Sequence, residues 1–438
     1  QKERSRAAAA VDTDDWVDVQ KKKESVEFVG YDANQCSCEI LRYRKVKAKN
    51  KEQYQLVLNR TPFYAESGGQ VGDTGTLTAE GDTIRILDTQ KENNLIVHFC
   101  DRLPKDPAST FTATIDDSRR KLITNNHSAT HLLHAALKEV LGTHVNQKGS
   151  LVNEAVTRFD FSHFAKVTDE ELQRIEHRVN EKIRENIALD ERRNVPVQEA
   201  MNMGAMALFG EKYGEFVRVI TFDPAFSREL CGGTHVSATG QIGLFKIISE
   251  GAVAAGVRRV EAITAGAAEQ YMEEQLRQLH AVREALKHPK DAVEKVNQLL
   301  EENARLQEQV KALIGEKAQQ VKKSISERAR TVNGLRVIAE RIDLPSADAI
   351  KDISFELRNQ FDDLVFLAGA EIDGKAHLSL ILSDKVVSEK KLNASALIRE
   401  LAKEIQGGGG GQAFYATAGG KQPDGIVKAL EKLTGLIS

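Results

Sequence analysis

The succession of apolar and polar positions divides the chain into stretches of different period. Between Val26 and Ile115 apolar residues come in short alternating or β-rich runs: Val26–Tyr31, Cys38–Val46, Tyr54–Arg60, Thr83–Asp88, Leu95–Phe99 and Phe111–Ile115. Turn clusters, notably Ser67-Gly68-Gly69-Gln70 and Gly72-Asp73-Thr74-Gly75, separate them, so the pattern predicts a small β-barrel or sandwich. Near Asp116 the period lengthens to that of a helix. Asn126–Gly142 sets Ala129, Leu132, Leu133, Ala136, Leu137, Val140 and Leu141 on one broad face, with Gly142 as its stop. A second helix over Asp169–Asp190 and strands at Arg218–Phe222 and Gly243–Ile248 extend an α+β core to about residue 266. Residues 267–330 space Val293, Val296, Leu299, Leu300, Leu306, Val310 and Leu313 helically among Glu, Gln and Lys. This predicts a long exposed helix or an antiparallel hairpin turning near His288-Pro289, a coiled-coil spacer or a charged linker. The last stretch returns to α/β, with strands at Leu335–Ala339, Asp363–Ala370 and Ala376–Leu382, a helix at Ala394–Ile405, and then the glycines Gly407 to Gly411. Residues 1–25 read as a charged, Ala-containing helical tail (Ala7–Ala10), interrupted around Asp12–Asp15. The expected fold class is α+β multidomain, divided at 1–25, 26–115, 116–266, 267–330 and 331–438.

Composition narrows the function classes. At 438 residues and 48.4 kDa the chain is too long for one core. Mean hydropathy is −0.38 and no apolar run approaches the ~18 residues of a membrane helix, so no membrane role is expected. A net charge of −3 excludes a general electrostatic grip on nucleic acid, and with it DNA binding, while leaving room for a local basic patch. Four cysteines form no disulfide framework and fit a reducing, cytoplasmic setting. The start, Gln1-Lys2-Glu3-Arg4, lacks both Met and a hydrophobic signal segment, as expected of a piece of something longer.

The candidate chemistry is concentrated in four residues. His127 and His131 stand four apart on one predicted helix, so their imidazoles project from the same face within reach of one ion. Cys231 and His235 repeat the spacing in Leu230-Cys231-Gly232-Gly233-Thr234-His235. Three nitrogens and one soft sulfur select zinc over magnesium or calcium. His134 shares the helix face and reads as a core histidine bonded to its surroundings. Cys36 and Cys38 lie too close in sequence for a usual chelating pair. Four protein ligands ordinarily mark a structural zinc, whereas a labile ligand would let a water bind and be activated; both readings stay open.

These residues carry a resemblance. Asn126-His127-Ser128-Ala129-Thr130-His131-Leu132-Leu133-His134, with Cys231-Gly232-Gly233-Thr234-His235 and Glu66-Ser67-Gly68-Gly69-Gln70, resembles the editing domain of alanyl-tRNA synthetases. The glycine run with Ala418-Gly419-Gly420 resembles their small C-terminal domain. The resemblance implies hydrolysis of the ester that links serine or glycine to the 3′-terminal adenosine of alanine tRNA. It implies zinc on His127, His131, Cys231 and His235. Thr130 would contact the aminoacyl group or orient water, and Gln147 and Ser150 would line the editing pocket. Arg258 would fork onto the terminal phosphate or adenosine, with Arg259 facing the other way on a strand. Gly407, Gly408, Gly409, Gly410 and Gly411 would cradle a phosphate with their amides, with Lys421 nearby. From Lys385 to Lys432 there is a surplus of three positive charges, and Phe414 and Tyr415 offer stacking surfaces for RNA. The resemblance assigns that region to the outer corner of tRNA and allows a homodimer through it. No adenylate-forming motif is visible, so ATP would serve only an aminoacylation half that this sequence does not include. The alternatives are a non-catalytic tRNA-binding module with a structural zinc, and a freestanding trans-editing deacylase.

Overall fold

In the computed structural model, residues 12–20, 26–48, 51–93, 95–207 and 213–437 are described. The chain forms two compact units, residues 1–281 and 282–438.

The first unit opens with a closed barrel. Strands Gln35–Ala48, Thr110–Ile115, Gly75–Ala79, Asp82–Glu92, Leu95–Cys100 and Lys51–Leu58 pair in that order, and the last pairs back onto the first. Closure removes the sheet edges, and the inward residues Ile40, Leu56, Leu58, Phe63, Leu77, Ile84 and Phe111 fill the lumen. The barrel was thus legible, but its strands differ from those expected. Val26–Tyr31 supplies only the short strand Glu27–Phe28 outside the barrel, and Gly75–Ala79, hidden beside a turn cluster, takes its place. Part of the tail expected to be helical, 1–11 and 21–25, lies outside the described residues. Within the rest, Asp12–Thr13, at the expected interruption, and Val17–Asp18 are strands added to Gln35–Ala48; only Val17–Asp18 replaces a helical expectation.

Helix α1 (Asp117–Leu141) follows directly. Asp116 caps it by accepting from the Arg119 amide at 3.0 Å, and Gly142 ends it at φ +117°. Its run from Asn126 to Leu137 is buried throughout. It packs with α2 (Asp169–Arg184) on a four-stranded sheet ordered 147–152, 157–162, 257–264, 245–254. Helix α2 is closed at its start by a Thr168/Glu171 capping box and stops six residues short of expectation, before Asn186 at φ +49°. A three-stranded sheet of 190–196, 216–222 and 227–230 stands beside them. Barrel and core are tied by a buried ion pair: Arg120 of α1 donates to Asp73 at 2.9 and 3.0 Å, and to the carbonyls of Gly30 and Pro62.

The helical stretch resolves into Ala265–Ala285 and Ala292–Ser326, broken where Lys287 and His288 adopt positive φ, next to the expected turn. In the second unit a six-stranded sheet, ordered 330–332, 335–341, 364–372, 375–382, 415–420, 407–411, is covered on both faces. Ile398, Leu401, Ile426 and Leu433 cover one face, and Ile350, Ile353, Leu357 and the end of the long helix (Ala318, Ile325) cover the other. The glycines 407–411 are not a loop but the edge strand of this sheet. At Gly409 a Cβ would lie 2.6 Å from the Ala418 Cβ and the Thr417 carbonyl, whereas at Gly408 and Gly410 it would meet nothing within 4 Å. The run therefore gives close approach on one side of the strand and bare backbone on the other. Among the described residues no helix is long and apolar enough to cross a membrane.

Candidate metal centre and its pocket

The i, i+4 spacing on α1 sets the His127 and His131 rings 5.3 Å apart, and the loop after strand Ser227–Leu230 brings His235 to 4.5 and 4.6 Å from them. Cys231 Sγ lies 3.4 Å from His127 Nε2 and 3.3 Å from His235 Nε2. One ligand atom from each of the four residues falls within 4.8 Å of the others, a geometry that could hold a metal ion.

The surroundings prepare these atoms for that task. Gln70 Oε1 accepts from the Thr234 amide at 2.9 Å, which fixes it as oxygen, and the same oxygen lies 2.7 Å from His127 Nδ1. Nδ1 must therefore carry the proton, and Nε2 is left with a lone pair facing Cys231. Ser128 Oγ meets His235 Nδ1 at 3.2 Å, and a Glu229 carboxylate oxygen stands 3.7 Å from His131 Nδ1. Burial, followed by the neighbouring imidazoles and Arg218, holds His127 and His235 well below the usual histidine range; burial also lowers His131. Neutral imidazoles are what a metal requires. The His131 Nδ1 has no hydrogen-bond partner within range.

The loop bearing Cys231 is pinned from behind. Arg218 donates to the carbonyls of Cys231 and Gly233 at 3.0 and 2.6 Å, and Tyr31 donates to that of Gly232 at 2.5 Å. Gly233 is a close-approach glycine: a Cβ there would fall on the His127 ring and 2.9 Å from Gln70 Oε1.

Thr130, Gln147 and Ser150 line the same pocket of about 80 Å³ as His127, His131 and Cys231. The Thr130 hydroxyl lies 2.7 Å from the Asn126 carbonyl of its own helix and 2.5 Å from Thr157 Oγ1. Gln147 donates to Ser150 Oγ at 3.3 Å, and the Ser67–Gln70 loop closes over them through the bond from the Val152 amide to the Gly69 carbonyl. His134 is a buried core neighbour, its partner the Glu229 carboxylate at 3.1 Å rather than backbone. Cys38 is sealed in the barrel, where burial pushes its thiol up to about 12.

Arg258 is not among the residues lining the pocket. It grips Glu250 through two hydrogen bonds of 2.5 and 2.6 Å, while Arg259, on the opposite face of the strand as expected, pairs with Asp160. The pair occupies the Nε and Nη2 donors of the Arg258 guanidinium. Lys421 is exposed in the other unit, after strand Tyr415–Gly420.

Glu229 and Gln70 were the residues without a role in the sequence reading. Burial opposes the charge on Glu229, but His131, His134 and His127 hold it down to about 2. Its only signal is an acidic residue two positions before the cysteine, in Ser227-Arg228-Glu229-Leu230. Gln70 was quoted only as part of a glycine motif.

Family models match in three places: tRNA synthetases class II (A) over residues 1–119, the threonyl and alanyl tRNA synthetase second additional domain over 217–261, and the DHHA1 domain over 334–438. The alanine–tRNA ligase of Cytophaga hutchinsonii is 56% identical over 437 residues, covering 100% of this chain and 50% of the relative. That of Christiangramia forsetii is 50% identical over 439 residues, with the same coverage. The chain thus spans about half the length of the curated relatives it matches. Among solved structures, the C-Ala domain from Aquifex aeolicus alanyl-tRNA synthetase aligns with 25% of this chain and 97% of its own, at 25% identity and a TM-score of 0.24. The chain belongs to the alanyl-tRNA synthetase family, of which it represents the C-terminal half.

Proposed function

We propose that the chain edits mischarged tRNA, hydrolysing the ester of serine or glycine on alanine tRNA. The observation that carries this is one small pocket lined both by His127, His131 and Cys231 of the metal quartet and by the polar wall of Gln147 and Ser150. A site built for alanine cannot strongly reject glycine, one methyl smaller, or serine, one hydroxyl larger. A pocket of about 80 Å³ admits only a small aminoacyl group. Serine's hydroxyl can join the Gln147–Ser150 pair, whereas the methyl of alanine adds no hydrogen bond to it. Thr130, anchored to Asn126 and Thr157, fixes the wall beside the ligands.

The donor set of three imidazole nitrogens and one sulfur fits zinc, which when bound would supply a fixed positive charge beside the ester. Gln70, Ser128 and Glu229 orient the rings that would hold it. In the same reading the C-terminal unit binds the outer corner of tRNA, and the chain is cytoplasmic. Exposed Val293, Leu300, Val310 and Leu313 on the long helix support a coiled coil and a homodimer through that region. The domain limits follow the five stretches of the sequence.

The test is deacylation of seryl- and alanyl-tRNA for alanine by this chain, alongside its zinc content, before and after chelation. Hydrolysis of the seryl ester, sparing of the alanyl ester, and loss of both zinc and activity in Cys231→Ala are expected. Full activity of Cys231→Ala, or equal rates on the two esters, would overturn the proposal.

A further inference from the structure

Next to the small pocket lies a wider cleft of about 250 Å³. The two share Tyr64, Ser67 and Gly232 in their walls. The cleft is aromatic: the Phe28 and Tyr31 rings meet at 4.9 Å and 85°, and Tyr64 stands 6.2 Å from Phe28. Ile96 completes the apolar lining, and Lys91 is exposed on its rim. The aromatics are held in place. Tyr31 donates to the Gly232 carbonyl, its ring is covered by the Arg218 guanidinium at 4.1 Å, and Tyr64 donates to the Ser67 carbonyl at 3.1 Å. Tyr31 and Arg218 also pin the loop bearing Cys231, whereas Phe28, Ile96 and Lys91 have no part in the metal site described above.

We infer that this cleft receives the 3′-terminal nucleobase of the aminoacylated RNA, with Phe28 as its principal stacking surface; the inference rests on the editing reading. The reasoning is one of reach and size. An aminoacyl ester hangs from the ribose of the terminal nucleoside, so the base must lie within one nucleoside of the small pocket. That pocket is too small to admit a base. A second cleft nearby, of about 280 Å³ around Arg218 and Gln241, is polar and shares no lining residue with the small pocket. The aromatic cleft shares three. Bases stack on aromatic faces whatever their identity, and surfaces already fixed by hydrogen bonds lose little freedom on binding. Lys91 on the rim suits the phosphate that precedes the terminal nucleoside.

Phe28→Ala should raise KM for seryl-tRNA about tenfold, within the range of one lost base stack, with the loss falling on KM rather than kcat, and Phe28→Trp should restore it. Lys91→Glu, an exposed substitution that leaves folding intact, should raise KM several-fold at low salt and less at high salt. A tRNA whose terminal adenosine carries a photoreactive 8-azido group should crosslink to Phe28 or Tyr64, which unlike Tyr31 do not also line the polar cleft. If the unaltered chain hydrolyses seryl-tRNA but Phe28→Ala, folded and with full metal content, keeps the same KM, the cleft assignment is overturned and the editing reading stands. Crosslinks confined to the Arg218–Gln241 cleft overturn it equally. Absence of hydrolysis by the unaltered chain overturns the editing reading, and the cleft with it.

Discussion

His98 offers a test of the barrel that is independent of the site. It sits fully buried on strand Leu95–Cys100, with Nδ1 3.2 Å from the Leu56 carbonyl and Nε2 2.8 Å from Thr61 Oγ1. The carbonyl can only accept, so Nδ1 carries the proton. The Thr61 hydroxyl accepts from the Phe63 amide at 3.1 Å and donates to Nε2. A second proton on the ring would set two donors against each other in a dry core, and burial accordingly lowers the group from 6.5 to about 4. The sign follows: the unfolded chain takes up this proton as pH falls through 6.5, and the folded barrel resists until about 4. Stability is complete above 6.5 and is lost between these limits. The shift corresponds to about 3 kcal/mol in full, of which about 2.5 should be lost by pH 4.5. The single tryptophan, Trp16, packs against Leu41, Val57 and Val97 with Arg44 over its ring, so its fluorescence reports on this unit. Urea titrations followed at Trp16 at pH 7.5, 5.5 and 4.5 should show this loss. In His98→Gln, less stable at every pH, the slope should fall by the share that His98 carries, leaving that of the buried His127, His131 and His235. Equal slopes in the two proteins would refute the reasoning.

Other substitutions probe other joints. Asp73→Ala strands the buried Arg120 guanidinium and should cost about 3–5 kcal/mol in the same urea titration, whereas an exposed pair such as Arg85–Asp101 should cost under about 1. Gly233→Ala pushes on the His127 ring and on Gln70. Zinc affinity, measured by competition with a chromophoric chelator, should fall about 10- to 100-fold without loss of secondary structure by circular dichroism. In the C-terminal strand Gly409→Ala should lower the thermal midpoint by several degrees, while Gly408→Ala should leave it within about a degree, because only the former side chain meets its neighbours.

Much of the first unit was legible because its signals are local. The burial of Ala129, Leu132, Leu133 and Leu137 follows from a helical period. The i, i+4 pairs His127/His131 and Cys231/His235 fix which atoms can converge before any tertiary contact is known. What was not legible depends on partners distant in the chain. The strand Gly75–Ala79 is marked by its pairing with Thr112–Ile115 and Ile84–Ile86 more than by its own composition. Gln70 looks like turn chemistry until Thr234, 164 residues later, orients its amide. Arg258 looks free until Glu250 is placed diagonally from it across an antiparallel pair.

The two glycine clusters show why residue type alone underdetermines a role. Gly233 and Gly409 both lack space for a Cβ, one against a histidine ring and the other against a neighbouring strand. From sequence, the five consecutive glycines were the more conspicuous signal, and flexibility or anion binding the natural inference. Yet residues 407–411 form an edge strand registered against Gly420 to Ala416, so close strand packing accounts for at least the glycine at 409. Gly233 is inconspicuous by comparison, but it touches the ring whose tautomer Gln70 sets. The space a missing side chain leaves has meaning only through what fills it, and at Gly233 that is a candidate ligand.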